Sequence, residues 1–249
     1  MKFITTQAQL HAALKRVSGI APNKTTIPVL TNFLFDLQGS TLRITATDLD
    51  RTVVTTMAVL GKRDGRVCLP ADKLSDLIRE LPSTELGFEV DEKNKLKIKT
   101  DKGEYKIAGD DAQDFPAIKL KNYSVEFSYD TSAFARNVAT VSFCASTDEL
   151  RPALMGMLLE VRANELRFVC IDWHRLSKVE DRRFSYNKAS KVILPMKALR
   201  FIEKHAAEAT AMRVSFGDDG AKFQIGELTL YSRVISALYP NYEKVIPND

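Results

Sequence analysis

An internal repeat constrains this chain more than any other feature of its sequence. Residues Leu154 to Arg175 read as two alternating strands joined by the polar turn Arg162 to Glu165, with a sharp turn at Asp172 to Arg175. The same layout occurs at Leu30 to Arg51, where Phe33 to Leu37 and Leu42 to Thr47 are the strands. Leu30 pairs with Leu154, Leu42 with Leu166, Asp48 with Asp172 and Arg51 with Arg175, without a gap. A period of this kind has to be settled before any fold assignment, and here it means two similar domains.

Read in order, each domain repeats one plan twice: a strand, a helix and three strands. Thr6 is placed to cap a helix from Gln7 to Val17, with Leu10, Leu14 and Val17 on one face. Strands are expected at Asn32 to Leu37, Thr41 to Thr47 and Arg51 to Val59, and Gly61 to Gly65 reads as a charged turn. The plan restarts with Arg66 to Pro70 and a helix over Ala71 to Leu81, whose buried stripe is Leu74, Leu77, Ile78 and Leu81. Strands Glu85 to Val90, Lys95 to Thr100 and Glu104 to Ala108 follow. Asp110 to Lys121 has no periodicity and reads as a connector, so the domains are expected at 1–121 and 122–249. In the second, Asp130 caps a helix to about Val141, and Met196 to His205 forms another. The fold class is α+β, with helices packed on sheets.

The net charge is +4, with basic and acidic residues both plentiful, so placement matters more than the sum. Cys68, Cys144 and Cys170 are odd in number and unclustered, which gives neither a zinc spacing nor a disulfide framework. Together with the lack of a long apolar run, this predicts a cytoplasmic protein with no membrane segment.

Asp172-Trp173-His174-Arg175 is the string that most invites a catalytic reading. The first copy reads Asp48-Leu49-Asp50-Arg51, without a histidine. An aspartate present at both turns fits a residue that bonds its own backbone better than an acid–base pair. There is no glycine-rich phosphate loop, no GKS or GKT string and no HExxH, so neither a cofactor nor a metal is expected. All four helices pair an apolar stripe with a face carrying Lys or Arg. Taken singly, each is an ordinary solvated face. Gathered on one side, they form a surface suited to phosphates.

Several strings carry a resemblance to a known family. These are Met1-Lys2-Phe3, Val17-Ser18-Gly19, Ile27-Pro28-Val29-Leu30, Thr47-Asp48-Leu49, Asp114-Phe115-Pro116 and Glu149-Leu150-Arg151-Pro152. Leu154-Met155-Gly156, His174-Arg175-Leu176 and Tyr239-Pro240-Asn241-Tyr242 continue the series in order along the chain. Together they resemble the bacterial sliding clamps, the beta subunit of the replicative DNA polymerase III. The resemblance implies the DNA-clamp fold, a ring of six similar domains with helices toward the centre and sheets outside. It implies a non-catalytic processivity factor with no catalytic residue. Its partners would be double-stranded DNA, DNA polymerase, the clamp loader and other proteins carrying a clamp-binding motif.

By the same resemblance Lys24 is expected to touch DNA, and Thr147 to Arg151, with Asp148 and Arg151, is its counterpart in the second domain. Lys15, Lys73, Arg79, Arg136, Lys197 and Lys204 would face the hole. A partner peptide would meet Leu154, Trp173, His174, Arg175, Leu176, Pro240 and Val245, with Arg151 at the rim. Packing alone also accounts for Leu154, Leu176 and Val245. The chain departs from the family at Trp173, usually glycine, and Ile171, often threonine. The indole ring either widens the pocket wall or fills part of the pocket, and obstruction is the expectation. The family's third domain is absent, so a ring would be three chains of two domains, against a monomer or open dimer that acts as a peptide-binding adaptor or an inactive fragment.

Overall fold

The computed structural model describes residues 1–117 and 122–246. The expected domain boundary at residues 121 and 122 falls at the edge of this description, and residue 121 lies outside it. The chain divides into two compact units, Met1–Lys119 with Glu227–Thr229, and Leu120–Gly226 with Leu230–Asp249.

In the first unit, β1 (Lys2–Thr6) leads into α1 (Gln7–Val17). β2 (Asn32–Gln38), β3 (Thr41–Thr47), β4 (Arg51–Ala58), β5 (Leu60–Arg63) and β6 (Gly65–Pro70) follow. Then come α2 (Ala71–Glu80), β7 (Glu85–Val90), β8 (Lys95–Lys99) and β9 (Glu104–Ala108). Pairing runs in the order β5-β1-β7-β8-β9, and separately β4-β3-β2-β6. α1 packs on α2 and touches β1, β3 and β4. Its start is set chemically: the Thr6 hydroxyl accepts the Gln9 N–H at 3.3 Å, and Gln9 Oε1 accepts the Thr6 N–H at 3.4 Å. Leu10, Leu14 and Val17 are buried, as their spacing requires.

In the second unit, β10 (Val125–Asp130) leads into α3 (Thr131–Ser142). β11 (Gly156–Arg162), β12 (Glu165–Ile171), β13 (Leu176–Asp181) and β14 (Ser190–Pro195) precede α4 (Met196–His205). β15 (Ala211–Gly217), β16 (Gly220–Ile225) and β17 (Leu228–Ser232) complete the unit. The strand orders are β13-β12-β11-β14 and β10-β15-β16-β17. Asp130 caps α3, its carboxylate accepting the Ala133 N–H at 2.6 Å. Phe134, Val138 and Val141 fill the space beneath it.

The repeat is carried into the backbone. Asn32–Gln38 recurs as Gly156–Arg162 and Thr41–Thr47 as Glu165–Ile171, at one interval. A short 3-10 turn precedes each pair, at Pro28–Thr31 and at Pro152–Met155. Glycine replaces asparagine at position 156 for a local reason. A Cβ there would stand 2.7 Å from Ile235 Cδ1 and 2.8 Å from the Leu194 carbonyl oxygen.

One element differs from the expectation. Leu60–Arg63 is a strand, not a charged turn, because its partner is β1. Four residues without alternation carry no strand signal of their own, and tertiary pairing supplies it. The first unit therefore places five strands between α1 and α2, where four were expected. The connector is also more structured than its composition suggests. Asp110 bridges to Cys68, its carboxylate accepts the Asn32 amide at 2.7 Å, and Phe115 is buried with Leu34 and Ala112.

Candidate functional site

The two copies of the Asp turn are built alike. Asp48 Oδ1 accepts the N–H groups of Asp50 at 3.2 Å and Arg51 at 2.7 Å, and Oδ2 takes the Arg51 guanidinium at 2.7 and 3.1 Å. Asp172 Oδ1 accepts those of His174 at 2.8 Å and Arg175 at 2.7 Å, and Oδ2 takes the Arg175 guanidinium at 2.7 and 3.0 Å. The His174 N–H and the Arg175 guanidinium hold the Asp172 carboxyl at a pKa of about 2. A carboxylate so engaged orients a turn; it is not poised to take a proton at neutral pH.

That turn in the second unit presents Trp173, His174 and Arg175 to solvent, and Leu176 begins β13 half-buried. Two neighbouring segments are tied to it. The Arg151 guanidinium lies over the Trp173 ring at 3.7 Å, and Arg175 stands 5.9 Å from the Phe143 ring. From the other side, Tyr239 donates its hydroxyl to the Val169 carbonyl oxygen at 3.2 Å. Tyr239 and Tyr242 share a core cluster with Leu158, Val169 and Ile193, against which Ala153, Ile171, Leu176 and Ile246 pack. Three segments, 143–154, 171–176 and 238–246, thus meet at one corner. Every large apolar residue exposed among the described residues of the second unit lies on them: Phe143, Leu150, Trp173, Leu238 and Val245. Leu150 is 90% exposed, Trp173 65% and Val245 64%. Pro240 is exposed as well, whereas Leu154 is only 6% exposed. The peptide residues expected from the sequence are therefore brought together. Phe143, Leu150 and Leu238 were missed, although a lone apolar residue in a polar loop, as in Asp148-Glu149-Leu150-Arg151, was the available signal.

The cations expected at DNA are distributed unevenly. Lys15 on α1, Arg136 on α3, and Lys197 and Lys204 on α4 are exposed, as is Lys24 in its loop. α1 and α3 contain no acidic residue, and α4 contains only Glu203. On α2, Lys73 and Arg79 share the helix with Asp72, Asp76 and Glu80. Arg79 is paired with Asp76 at 3.0 Å and with Glu80 at 3.1 Å. Asp148 shapes the second-unit loop: it accepts the Leu150 N–H at 3.0 Å and stands 3.8 Å from Arg151.

Among the described residues, no group of three or more His, Cys, Asp or Glu could hold a metal ion. No helix among them is long and apolar enough to cross a membrane. An open groove of about 810 Å³ lies at the start of α3, between Tyr129, Arg136, Asp181, Arg183 and Phe184, and none of the corner residues lines it.

Comparison with known proteins places this geometry. Residues 1–119 match the N-terminal domain of the DNA polymerase III beta subunit, and residues 128–241 match its central domain. The beta sliding clamp of Pseudomonas aeruginosa is 30% identical over 250 residues, covering 99% of this chain and 68% of the relative. That of Synechococcus elongatus is 31% identical over 259 residues, covering all of this chain and 68% of the relative. The solved Pseudomonas aeruginosa clamp bound to griselimycin superposes with a TM-score of 0.93 at 30% identity, across 100% of this chain and 68% of that one. A Caulobacter crescentus clamp gives 0.92 at 27% identity, across 100% and 69%. The chain belongs to the DNA polymerase III beta subunit family, the beta sliding clamps, and spans about two thirds of the length of these relatives.

Proposed function

We propose that this chain is a non-catalytic processivity factor of the cytoplasm that contacts duplex DNA without reading sequence and holds replication proteins through the apolar corner of its second unit. The observation that carries the second half is the confinement of the exposed large apolar residues, among the described residues of that unit, to three converging segments. Exposed apolar residues scattered singly need no explanation, whereas several on segments that pack together favour a binding surface. Trp173 stacked under Arg151 is a wall of this corner, since a ring filling a pocket would not be 65% exposed. A partner peptide with large apolar side chains would lie against Trp173, Leu176, Pro240 and Val245, and Arg151 and His174 would hold its polar groups. DNA polymerase and the clamp loader are the partners expected to carry such a peptide.

For DNA, Lys15, Lys24, Arg136, Lys197 and Lys204 are the contacts proposed. Lys73 and Arg79 contribute less, because acidic neighbours offset them on α2. Arg151 serves DNA only when it leaves the indole ring. Closure of several copies into a ring would add topological retention, and light scattering over a concentration series reads the assembly.

Titration of a fluorescein-labelled hexapeptide rich in leucine and phenylalanine tests the corner. Saturable binding is expected in the wild type, weakened about tenfold by Leu176→Ser or Val245→Ser, each of which removes about 1.4 kcal/mol of apolar contact. Binding unaffected by both substitutions would place the peptide elsewhere. Griselimycin, bound in a solved Pseudomonas aeruginosa clamp, is a second probe.

A further inference from the structure

Val245 and Pro240 present a physical problem. They line the proposed peptide corner, yet they lie exposed on a segment whose 3-10 turn, Tyr242–Val245, buries only Tyr242. Tyr242 and Ile246 anchor the two ends of the turn in the apolar cluster, and between them Glu243 is held by ionic attachments.

These attachments converge on Arg167, which is 9% exposed in the middle of β12. Its Nη1 donates to Glu243 Oε1 at 2.6 Å and to the Tyr242 hydroxyl at 3.2 Å. That hydroxyl in turn donates to Glu160 on β11 at 2.7 Å. Arg162 reaches the same Glu243 oxygen at 3.0 Å. On its other edge Arg167 meets Glu165 at 2.6 Å, and its Nε stands 3.4 Å from Glu180. Glu243 is thus held by two guanidinium groups, one of them nearly buried, where charge-assisted bonds are strong.

The internal repeat supplies a control within the molecule. Arg43 is the repeat mate of Arg167, and Asp36 stands opposite it as Glu160 stands opposite Arg167. Thr41 and Thr56 occupy the places of Glu165 and Glu180. Arg43 is exposed, whereas Arg167 is enclosed by carboxylates. The fold does not require the network, since the first unit forms the same strands without it. Among the described residues, the first unit exposes only Ile27 and Leu49 at the matching corner, against five large apolar residues in the second.

We infer that Arg167 and Glu243 form an ionic tether that sets the position of the Tyr242–Val245 turn, and so determines how Pro240 and Val245 are presented to a partner peptide. The inference rests on the peptide-binding reading of the corner. Arg167 and Glu243 are positioning residues that act through Val245 and Pro240 without touching the ligand.

Glu243→Ala is the variant that tests it, because Glu165 and Glu160 still neutralise Arg167 when Glu243 is removed. The leucine- and phenylalanine-rich hexapeptide is titrated against wild type, Glu243→Ala, Glu243→Gln and Arg182→Ala. Arg182 touches Glu180 in the same acidic patch but makes no bond to the turn. Glu243→Ala is expected to weaken binding about five- to tenfold and to speed hydrogen exchange across residues 243–246, with the thermal midpoint of unfolding unchanged. Glu243→Gln should fall between it and wild type, and Arg182→Ala should match wild type. Wild type that binds, with Glu243→Ala binding equally well, overturns the tether alone. Equal loss in Arg182→Ala also overturns it, because the effect would then belong to the patch and not to the turn. A wild-type chain that takes no peptide removes the corner reading, and this inference with it.

Discussion

Asp172 keeps its carboxyl at a pKa of about 2 because it accepts the His174 N–H and pairs with Arg175. A depressed carboxyl stabilises the fold above its unfolded pKa near 4, and that contribution is lost as pH falls through the folded value. Asp172→Asn should therefore melt below wild type at pH 7, and the two melting curves should converge as pH approaches 2. A gap that stays constant with pH would mean that the carboxylate's charge contributes nothing. At the same turn, Trp173→Gly should weaken hexapeptide binding several-fold, since it removes an exposed wall and the ring beneath Arg151. Obstruction, the expectation from sequence, predicts tighter binding, and one titration separates the two. The Asp turn was legible because it occurs twice, and two copies with different neighbours separate turn chemistry from catalysis. The Arg151–Trp173 stack was not legible. It joins a loop to a turn across a fold that the periodicity of neither reveals.

The helices were the most legible elements. Gln7–Val17 has the bounds that capping and apolar spacing predict, and Met196–His205 those that apolar spacing alone predicts. Thr6→Ala should cost about 1 kcal/mol of stability by removing a capping box, measured by urea unfolding. An unchanged unfolding midpoint would show that packing alone holds the first turn of α1. The helices also differ in charge in a way that composition hides. Lys204→Gln on α4 should lower the salt dependence of duplex binding by about 0.9 in the log–log slope, the amount for one phosphate contact. Arg79→Gln should change it little, because Asp76 and Glu80 already pair with that guanidinium. Equal effects from both would remove the distinction drawn between α2 and α4. β5 marks the limit of local reading, since its pairing with β1 spans the length of a whole subunit of the repeat. The carboxylates around Arg167 lie on three strands and the turn, so only strand register brings them together.

At the scale of the molecule, two copies of one plan have diverged at the same corner. The first unit has Ile27 and Leu49 where the second has Arg151 and Trp173, and among the described residues the second adds Phe143, Leu150, Leu238 and Val245 as exposed apolar residues. A net charge of +4 is too small to define a DNA-binding protein, and the positions of the cations on α1, α3 and α4 carry that argument. Processivity requires both surfaces at once, because a factor that holds DNA or polymerase alone cannot keep the two together. The most direct test is primer extension on a singly primed circular template by the cognate DNA polymerase III, with clamp loader and ATP. Excess unlabelled primed DNA is added at the start, so that each product reports one binding event. Longer products are expected with this chain than without it, and loss of that gain with Lys197→Glu plus Lys204→Glu or with Val245→Ser. Products of equal length with and without the wild-type chain would contradict the processivity reading.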